Sequence, residues 1–250
     1  MDEDLKSKFA DYLEYFEDIR KRILGVLIVF IIFFVVGFLS SGKILSFLIS
    51  WFHLENATIV STSPFQFLDL SMSVGIFLGF FFCTPFIIYH IYNFLKEGLV
   101  KREKIYFLLL LPIAFILFFV GFAYSFGVLY YCLNTIASVN QSLGINNLWD
   151  IGKFIYEICL TSVLLGLLFQ FPVILSFLVQ INLLDVNFLK QKRKVALAII
   201  FVVVSFLPPT DGISLLVMAL PMILIYELTI IINNILLKKK SYSLENIVTV

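Results

Sequence analysis

The stretch NFLKEGLVKREKI, at residues 93–105, places six charged side chains between two long apolar runs. Two of the six are acidic and four are basic, so the stretch is more than a plain basic anchor. A charged side chain at the centre of a bilayer costs several kcal/mol. The stretch must therefore lie in water or at a headgroup surface, and the apolar runs on either side of it are predicted to be membrane-spanning helices.

The composition places the whole chain in a membrane. Of its 250 residues, 61% are hydrophobic and only 14% are charged, whereas a soluble domain carries about 25% charged residues. The net charge of +1 argues against a nucleic-acid partner. The sequence contains no GxxxxGK[ST] phosphate loop and no HExxH zinc motif. We predict a protein that is not an enzyme and that holds no cofactor or metal.

Basic residues alternate between the connections of the predicted spans. Sixteen of the 18 Lys and Arg residues fall in segments that a six-span topology puts on one side of the membrane, and the positive-inside rule makes that side cytoplasmic. The fold class is therefore an all-α membrane protein with six transmembrane helices and both termini in the cytoplasm. The predicted spans are residues 23–39, 71–92, 105–133, 154–181, 195–207 and 213–232.

The last two spans are predicted to form a hairpin with a short first arm. Residues 195–207 are only 13 residues long, about 20 Å of helix at ~1.5 Å per residue, against a hydrocarbon core of ~30 Å. Both flanking segments are basic, so the chain between them crosses twice, with its outer turn at Pro208 and Pro209. We expect this hairpin either to thin the bilayer or to leave one side of the bundle shallow. Asp211, in the same turn, is predicted to cap the sixth helix rather than to touch a cargo protein.

The chain is predicted to be a single membrane domain. Apolar residues in the first 22 positions recur at helical spacing, which predicts an amphipathic helix lying at the membrane surface. On its polar side Glu17–Lys21 and Asp18–Arg22 are i,i+4 pairs with the acid first, the favoured order on a helix. The three parts of the domain are a cytoplasmic helix at 1–22, the six-span bundle at 23–232 and a cytoplasmic tail at 233–250.

Several short motifs together resemble the TatC family, the multispanning receptor subunit of the twin-arginine protein translocase. The resemblance extends from about residue 12 to residue 232. The motifs are YFEDIRKR at 15–22, Ser63-Pro64 with Phe67, Phe94 with Leu99 and Glu103, FQFP at 169–172, PPTDGIS at 208–214, and ALP at 219–221 with YEL at 226–228.

The chain departs from the family pattern at four positions. Tyr15 and Asp18 stand where the family usually has His and Glu, and Glu97 stands where a Pro often follows the loop Phe. Gln170 stands where many members have Glu. An ionisable group is therefore not essential at that position, which argues against a proton relay through it.

The resemblance implies a receptor or core subunit of a Sec-independent translocase. Such a subunit binds twin-arginine signal peptides and helps to move folded proteins across the membrane, with energy from the proton-motive force. The implied partners are those signal peptides, single-span subunits of the TatA/TatB type, further copies of the chain and the lipid bilayer. The implied location is the bacterial inner (plasma) membrane, or an organellar membrane.

Acidic side chains on the two inner segments suit a pair of arginines. A guanidinium group presents a planar fork of donors that binds a carboxylate bidentately. Asp18, or its neighbour Glu17, and Glu103 supply one carboxylate for each arginine, while nearby basic residues repel a peptide that is merely basic. The alternative is that this loop only sets the membrane topology and that its acidic residues reduce its excess positive charge. The predicted signal-peptide site is Glu17, Asp18, Arg20, Phe94, Glu97, Lys101 and Glu103.

Two polar residues, Gln170 and Glu227, fall inside predicted spans. Polar groups at membrane depth usually face the bundle interior or a wet cavity. These two either form a face on which partner helices dock or make hydrogen bonds between helices of the bundle. The alternative function is a small secondary transporter or channel that uses Gln170, Glu227 and His90, although residues 23–133 and 154–232 show no convincing repeat.

Overall fold

Helices account for nearly all of the described chain. The computed structural model describes residues 2–52, 57–208 and 211–248, and within these ranges it describes side chains except at 2–16, 95, 97, 101, 102 and 238–248. The elements in chain order are α1 Asp2–Leu39, α2 Ser41–Trp51, β1 Thr58–Val60, α3 Gln66–Gly98, α4 Lys101–Ser142, β2 Leu148–Asp150, α5 Ile151–Leu168, α6 Phe171–Gln180, α7 Val186–Gln191, α8 Arg193–Val204 and α9 Gly212–Val248.

Within the described ranges, five helical segments are long and apolar enough to cross a membrane. The short additional crossing is α8, whose 12 residues extend about 18 Å at ~1.5 Å per residue. The predicted all-α, multi-span fold is confirmed, and the predicted six spans are compatible with these five segments together with α8. The five segments are Glu17–Leu39, Gln66–Phe94, Glu103–Ser142, Ile151–Gln180 and Gly212–Leu237.

The helices at the two ends of the chain continue past the predicted ends of their spans. α1 runs unbroken from Asp2 to Leu39, so the N-terminal segment and the first span form one continuous helix. The reason is that residues 17–22, EDIRKR, contain no Pro or Gly that would end the helix at the membrane boundary. The position of residues 1–22 at the membrane surface stays a prediction. α9 likewise continues to Val248, through the segment predicted as a tail.

The outer connections are shorter than the sequence predicts. α4 does not end at Leu133 but continues to Ser142. It ends just before Gly144, which adopts a positive φ of 73°, a conformation that glycine takes without strain and that commonly closes a helix. On the same side α3 begins at Gln66, before the predicted start at Ser71.

The fourth span consists of two helices, α5 and α6, joined at Phe169 and Gln170. Pro172 lies in the first turn of α6, where its missing N–H costs no helical hydrogen bond. The Gln170 N–H donates to the Leu167 carbonyl oxygen at 2.9 Å, which tightens the turn between the two helices. The predicted single crossing is therefore kept, but its helix is interrupted in the middle.

Phenylalanine rings pack against glycines where α4 crosses α5. A β-carbon added at Gly121 would lie 2.6 Å from the Phe169 ring, and one added at Gly166 would lie 2.9 Å from the Phe118 ring. Both rings are almost fully buried. Helices in lipid associate largely through close packing at small residues. These two phenylalanines therefore serve the packing of the bundle.

A side chain of α4 completes the hydrogen bonding of α9. Pro221 lies inside α9 and has no N–H to donate to the carbonyl oxygen of Val217, one turn earlier. The Tyr124 hydroxyl donates to this oxygen at 2.7 Å. Because a carbonyl group without a donor is costly in hydrocarbon, this bond both stabilises α9 and ties it to α4.

Two short strands join the outer connections. β1 and β2 pair in parallel, with Thr58 opposite Leu148 and Val60 opposite Asp150. The sequence did not predict these strands, because three-residue segments carry no readable alternation. Their pairing brings the connection before α3 against the connection before α5.

The Asp150 carboxylate is the centre of the polar contacts at this outer end. It accepts hydrogen bonds from the Thr62 hydroxyl, from the Lys153 backbone N–H at 2.9 Å and from the Gln66 amide at 2.8 Å. These donors, the Thr62 hydroxyl foremost, lower the pKa of Asp150 from 3.8 to about 2. The ionised carboxylate therefore favours the folded outer end.

We expect Tyr124→Phe to lower the free energy of unfolding by about 1–3 kcal/mol, because it leaves the Val217 oxygen without its donor. In a Pro221→Ala background the same change should cost less, since the restored N–H of residue 221 can donate to that oxygen. Thermal unfolding in lipid nanodiscs measures both effects. Tyr131→Phe, at an exposed ring on the same helix, is the matched control, and an equal cost of Tyr124→Phe in both backgrounds would contradict this account.

We expect the outer end to lose stability as the pH falls from about 4 towards 2. The pKa of Asp150 is lower in the folded protein than its ordinary 3.8, so the unfolded carboxyl group binds protons first, and the stabilisation present above pH 3.8 disappears as the pH approaches 2. Hydrogen exchange at the Lys153 amide, followed through this pH range, measures the change. Asp150→Asn should remove the pH dependence of this exchange rate. Asp69→Asn, at an exposed acid of α3, should leave the pH dependence as it is in the unchanged protein.

Candidate functional site

The inner part of α1 carries the two acid–base pairs that the sequence predicts. The Arg22 guanidinium lies 3.4 Å from the Asp18 carboxylate, and the Lys21 ammonium lies 3.9 Å from the Glu17 carboxylate. The Glu17 and Lys21 side chains are both 73% exposed, whereas Arg22 is only 19% exposed. Both predicted pairs are confirmed, and Arg22 is the member of the four that the bundle covers most.

Arg22 connects α1 to α3. Its Nη1 donates to the His90 carbonyl oxygen at 3.4 Å, and its guanidinium carbon lies 5.7 Å from the centre of the Phe94 ring, within the range of a cation–π contact. Asp18 and Phe94, which are far apart in sequence, are thus brought to the same guanidinium group. Arg20, on the same turn, is exposed.

Glu103 begins the next helix at the same end of the bundle. α3 ends at Gly98 and α4 starts at Lys101, so the connection is only two residues long. The Glu103 carboxylate accepts a hydrogen bond from the Val100 N–H at 3.1 Å, which caps α4 and holds the carboxylate at this end of the helix. The predicted site residues Glu97 and Lys101 lie outside the residues whose side chains are described.

A groove of about 450 Å³ lies between α1 and α3 beside these residues. Sequence reasoning missed it, although both helices present the same i, i+3, i+4, i+7 spacing towards it. Its wall is aliphatic and aromatic except for Arg22 and His90. The lining residues are Ile19, Arg22, Ile23 and Val26 of α1 with Ile87, His90, Ile91 and Phe94 of α3.

Gln170 lies in a second, larger cleft of about 550 Å³ between α3, α4 and α6. Its amide donates to the Ala114 carbonyl oxygen of α4 at 3.0 Å, so it makes the interhelical hydrogen bond that the sequence left as one of two possibilities. The rest of the cleft wall is apolar apart from Thr84. Ile87 and Ile91 of α3 line both this cleft and the groove.

Glu227 forms an ion pair that sequence reasoning missed. Its carboxylate lies 2.9 Å from the Arg193 guanidinium, and the two side chains are 36% and 46% exposed respectively. Because α8 is short, the arginine at its first residue lies level with a position well inside α9. The short fifth span could have indicated this pair, because a short helix brings the basic residues at its inner end close to the level of Glu227.

Further polar contacts hold the inner connection before α8 to α9. The Tyr226 hydroxyl donates to the Leu189 carbonyl oxygen at 2.9 Å, and the Lys190 ammonium donates to the Asn234 side chain at 3.1 Å. The Gln180 amide, at the inner end of α6, donates to the Asn233 side chain at 3.1 Å. The polar residues of α9 thus hold their own neighbouring helices in place.

The outer turn before α9 behaves as predicted at Asp211. Its carboxylate accepts from the Ser214 backbone N–H at 2.9 Å, which confirms the predicted helix cap. The Pro208 carbonyl oxygen accepts from the Thr161 hydroxyl of α5 at 2.6 Å. Pro209 lies outside the described residues.

The three residues of the transporter hypothesis lie on different surfaces. His90 lines the groove, Gln170 lines the cleft and Glu227 pairs with Arg193. Among the described residues, moreover, His, Cys, Asp and Glu form no group of three that could hold a metal ion. The geometry therefore does not gather these three residues into one transport site.

Comparison with known proteins gives one consistent result. A family model described as Sec-independent protein translocase protein (TatC) matches residues 14–221. The chain is 27% identical to the Sec-independent protein translocase protein TatCy of Bacillus subtilis (strain 168), over 96% of this chain and 94% of that protein. It is also 27% identical to a TatC of Halalkalibacterium halodurans, over 91% and 90% of the two chains.

A solved structure shows the same fold. The crystal structure of the twin arginine translocase receptor TatC superposes with a TM-score of 0.74 at 23% identity, over 87% of this chain and 98% of that one. A second crystal structure of the same receptor gives a TM-score of 0.73. At this level of identity the likeness concerns the arrangement of helices.

We expect Arg193→Glu and Glu227→Arg each to lower the free energy of unfolding, because each leaves two like charges facing one another near the membrane. The double exchange should recover most of the loss, with a coupling of about 0.5–1 kcal/mol for this half-exposed pair. Thermal unfolding in nanodiscs measures all three variants. A double variant whose loss equals the sum of the single losses would contradict a stabilising pair.

Proposed function

Because the chain belongs to the TatC family of Sec-independent protein translocase proteins, we propose that its inner surface binds the twin-arginine signal peptides of cargo proteins. The family model covers residues 14–221, and this match is the observation that carries the proposal. The protein is a multi-span membrane component of a protein-transport system and is not an enzyme. The transporter and channel alternative is therefore set aside.

The peptide's arginines are assigned to Asp18 and Glu103. A guanidinium group binds a carboxylate best through two parallel hydrogen bonds of about 2.7–2.9 Å. The Asp18–Arg22 contact of 3.4 Å is longer than this, so an incoming arginine competes for Asp18 on favourable terms. Glu103 makes one bond to the Val100 N–H, and a carboxylate has further acceptor positions for a second arginine. Glu17, 73% exposed, is the neighbouring acid that assists.

The residues around the two acids select among basic peptides. Arg20 and Lys101 carry positive charge next to the site and repel a peptide that lacks the correctly placed arginine pair. Phe94, 36% exposed, offers an aromatic face to a guanidinium or to an apolar peptide residue. We assign Glu97, in the last turn of α3, as a third acid that makes the electrostatic potential more favourable for a cation.

The cleft beside Gln170 is assigned to a partner helix. Its apolar wall and volume of about 550 Å³ suit the apolar side chains of a single-span subunit of the TatA/TatB type. Gln170 adds one amide that hydrogen-bonds a polar group of such a helix. Glu227, which is paired with Arg193 but still 36% exposed, is assigned to a second contact, on the α8–α9 side. Self-association of the chain would bring further copies into the same complex.

The membrane in question is assigned to the bacterial inner membrane. The relatives from Bacillus subtilis and Halalkalibacterium halodurans are bacterial proteins, and the basic inner connections fit a cytoplasmic side. Folded cargo would then leave the cytoplasm, with energy supplied from outside this chain by the proton-motive force.

We expect Glu103→Gln to weaken the binding of a twin-arginine peptide about tenfold, because the charge-assisted pair contributes roughly 1.5 kcal/mol more than a neutral contact. Gln keeps an acceptor for the Val100 N–H, so the cap of α4 persists. Asp18→Asn should have a similar effect. Titration of a fluorescent peptide against the protein in nanodiscs gives the affinities.

Asp185→Asn is the matched control for these variants. Asp185 lies on another inner connection and caps α7 through the Asn187 N–H at 3.0 Å, a role that Asn also fills. It should leave the peptide affinity unchanged. Equal losses in all three variants would show a general charge effect, and unchanged affinity in Glu103→Gln and Asp18→Asn would refute the assigned site.

A further inference from the structure

The short helix α2 is held at the outer end of the bundle by one buried face. At its start the hydroxyl groups of Ser41 and of Ser71 on α3 share a hydrogen bond of 2.8 Å. At its other end Phe52 is fully buried, and the centre of its ring lies 5.6 Å from that of Phe154 on α5. The helix is therefore fixed at both ends, and its orientation on the bundle is set. The buried residues within it are Ser41, Leu45 and Leu48.

The rest of α2 is divided into an aromatic face and a polar face. Phe47 and Trp51 are four residues apart and therefore share one face. Their ring centres lie 6.1 Å apart, and the two residues are 61% and 58% exposed. The polar face carries exposed residues at the same spacing, namely Gly42, Ser46 and Ser50. At ~100° per residue, the buried, polar and aromatic faces lie about a third of a turn from one another.

α2 lies at the level where two of the spans leave the membrane. It begins two residues after Leu39, the last residue of α1. The apolar segment 23–39 of that helix is about 25 Å long at ~1.5 Å per residue, close to the ~30 Å of a hydrocarbon core. The predicted fourth span begins at Phe154, which is the residue that packs against Phe52. Two separate spans therefore place α2 at the outer boundary of the hydrocarbon core.

We propose that the aromatic face of α2 binds the membrane itself, at the boundary between the acyl chains and the headgroups of the outer leaflet. Aromatic side chains, and tryptophan above all, are enriched at this depth, where one side of the ring meets lipid and the other meets water. The separate polar face then points to the water outside, which is the arrangement of an interfacial amphipathic helix. Lys43 is exposed between the polar and aromatic faces, where its stem covers apolar surface and its ammonium group stays among the headgroups. α2 is thus an anchor that sets the depth of the outer end of the bundle.

A second copy of the chain is the competing occupant of the aromatic face, and the size of the face disfavours it. A stable protein interface buries about 800 Å² on each partner. Two aromatic side chains on a helix of 11 residues offer about 150–250 Å² each, well short of that area. Lipid needs no interface of a minimum size, because it surrounds the whole bundle.

The chain carries its own probe for this proposal, because Trp51 and Trp149 are its only tryptophans. Trp149→Phe leaves Trp51 as the single fluorophore of the full chain in phosphatidylcholine nanodiscs. Lipids brominated near the headgroup should quench its fluorescence at least about twofold more strongly than lipids brominated near the end of the chain. The matched control places the fluorophore on the polar face, through Ser46→Trp with Trp51→Phe and Trp149→Phe. Iodide in the water should quench this control, and brominated lipid should have little effect on it.

Three results would overturn the proposal. Quenching of Trp51 by iodide but not by brominated lipid would show that the aromatic face meets water. Protection from both quenchers would show that protein, such as a second copy of the chain, covers the face. Stronger quenching by bromine near the chain end would place the face deeper than the headgroup boundary.

A second measurement tests whether the lipid contact stabilises α2. Phe47→Gln combined with Trp51→Gln should raise the rate of amide hydrogen exchange within α2 about tenfold in nanodiscs, which corresponds to about 1.4 kcal/mol. Ser46→Gln combined with Ser50→Gln changes the polar face of the same helix and should leave this rate nearly unchanged. An equal rise in the two variants, or no rise in the aromatic variant, would contradict the anchoring role. Neither measurement involves a peptide, so the anchor stands or fails separately from the proposed function.

Discussion

The contact between α1 and α3 positions everything at the inner surface. A β-carbon added at Gly37 of α1 would lie 3.0 Å from the Gly75 backbone of α3, so the two helices touch through their backbones in the outer half. Small residues of this kind are what allow helices to associate in lipid. Towards the cytoplasm the contact passes to long side chains, where Arg22 reaches the His90 carbonyl oxygen. The site and the groove exist because this crossing is tight at one end and bridged by side chains at the other.

Elsewhere the bundle supplies side-chain donors to carbonyl groups next to prolines and helix breaks. The Tyr124 hydroxyl donates to the Val217 carbonyl oxygen, one turn before Pro221, and the Thr161 hydroxyl donates to the Pro208 carbonyl oxygen at the outer turn. Gln170, at the break in the fourth span, donates to Ala114. An amide can donate without carrying a proton that titrates, so this chain fills the interhelical role at that position with a permanent donor. An ionised carboxylate in the same place could only accept.

Local features were predictable from the sequence, and contacts between distant residues were not. The pair Asp18–Arg22 and the cap at Asp211 follow from spacing within one helix, and the structure contains both. The pair Arg193–Glu227 depends on how deeply a short helix places its first residue, which the sequence does not state. Helix ends were misjudged for a different reason. Hydropathy reports where lipid begins, whereas a helix such as α1 ends only where a breaking residue or a cap ends it.

Arg22 makes the proposed peptide site depend on the packing of α1 against α3. Its guanidinium lies 3.4 Å from the Asp18 carboxylate of its own helix and donates to the His90 carbonyl oxygen of α3. A peptide arginine that binds Asp18 would therefore change a contact that also joins the two helices. By linkage, any change that alters this helix contact must alter the peptide affinity, and bound peptide must act back on the helix contact by the same factor. Peptide binding would thus be coupled to the helix crossing on which the inner surface is built.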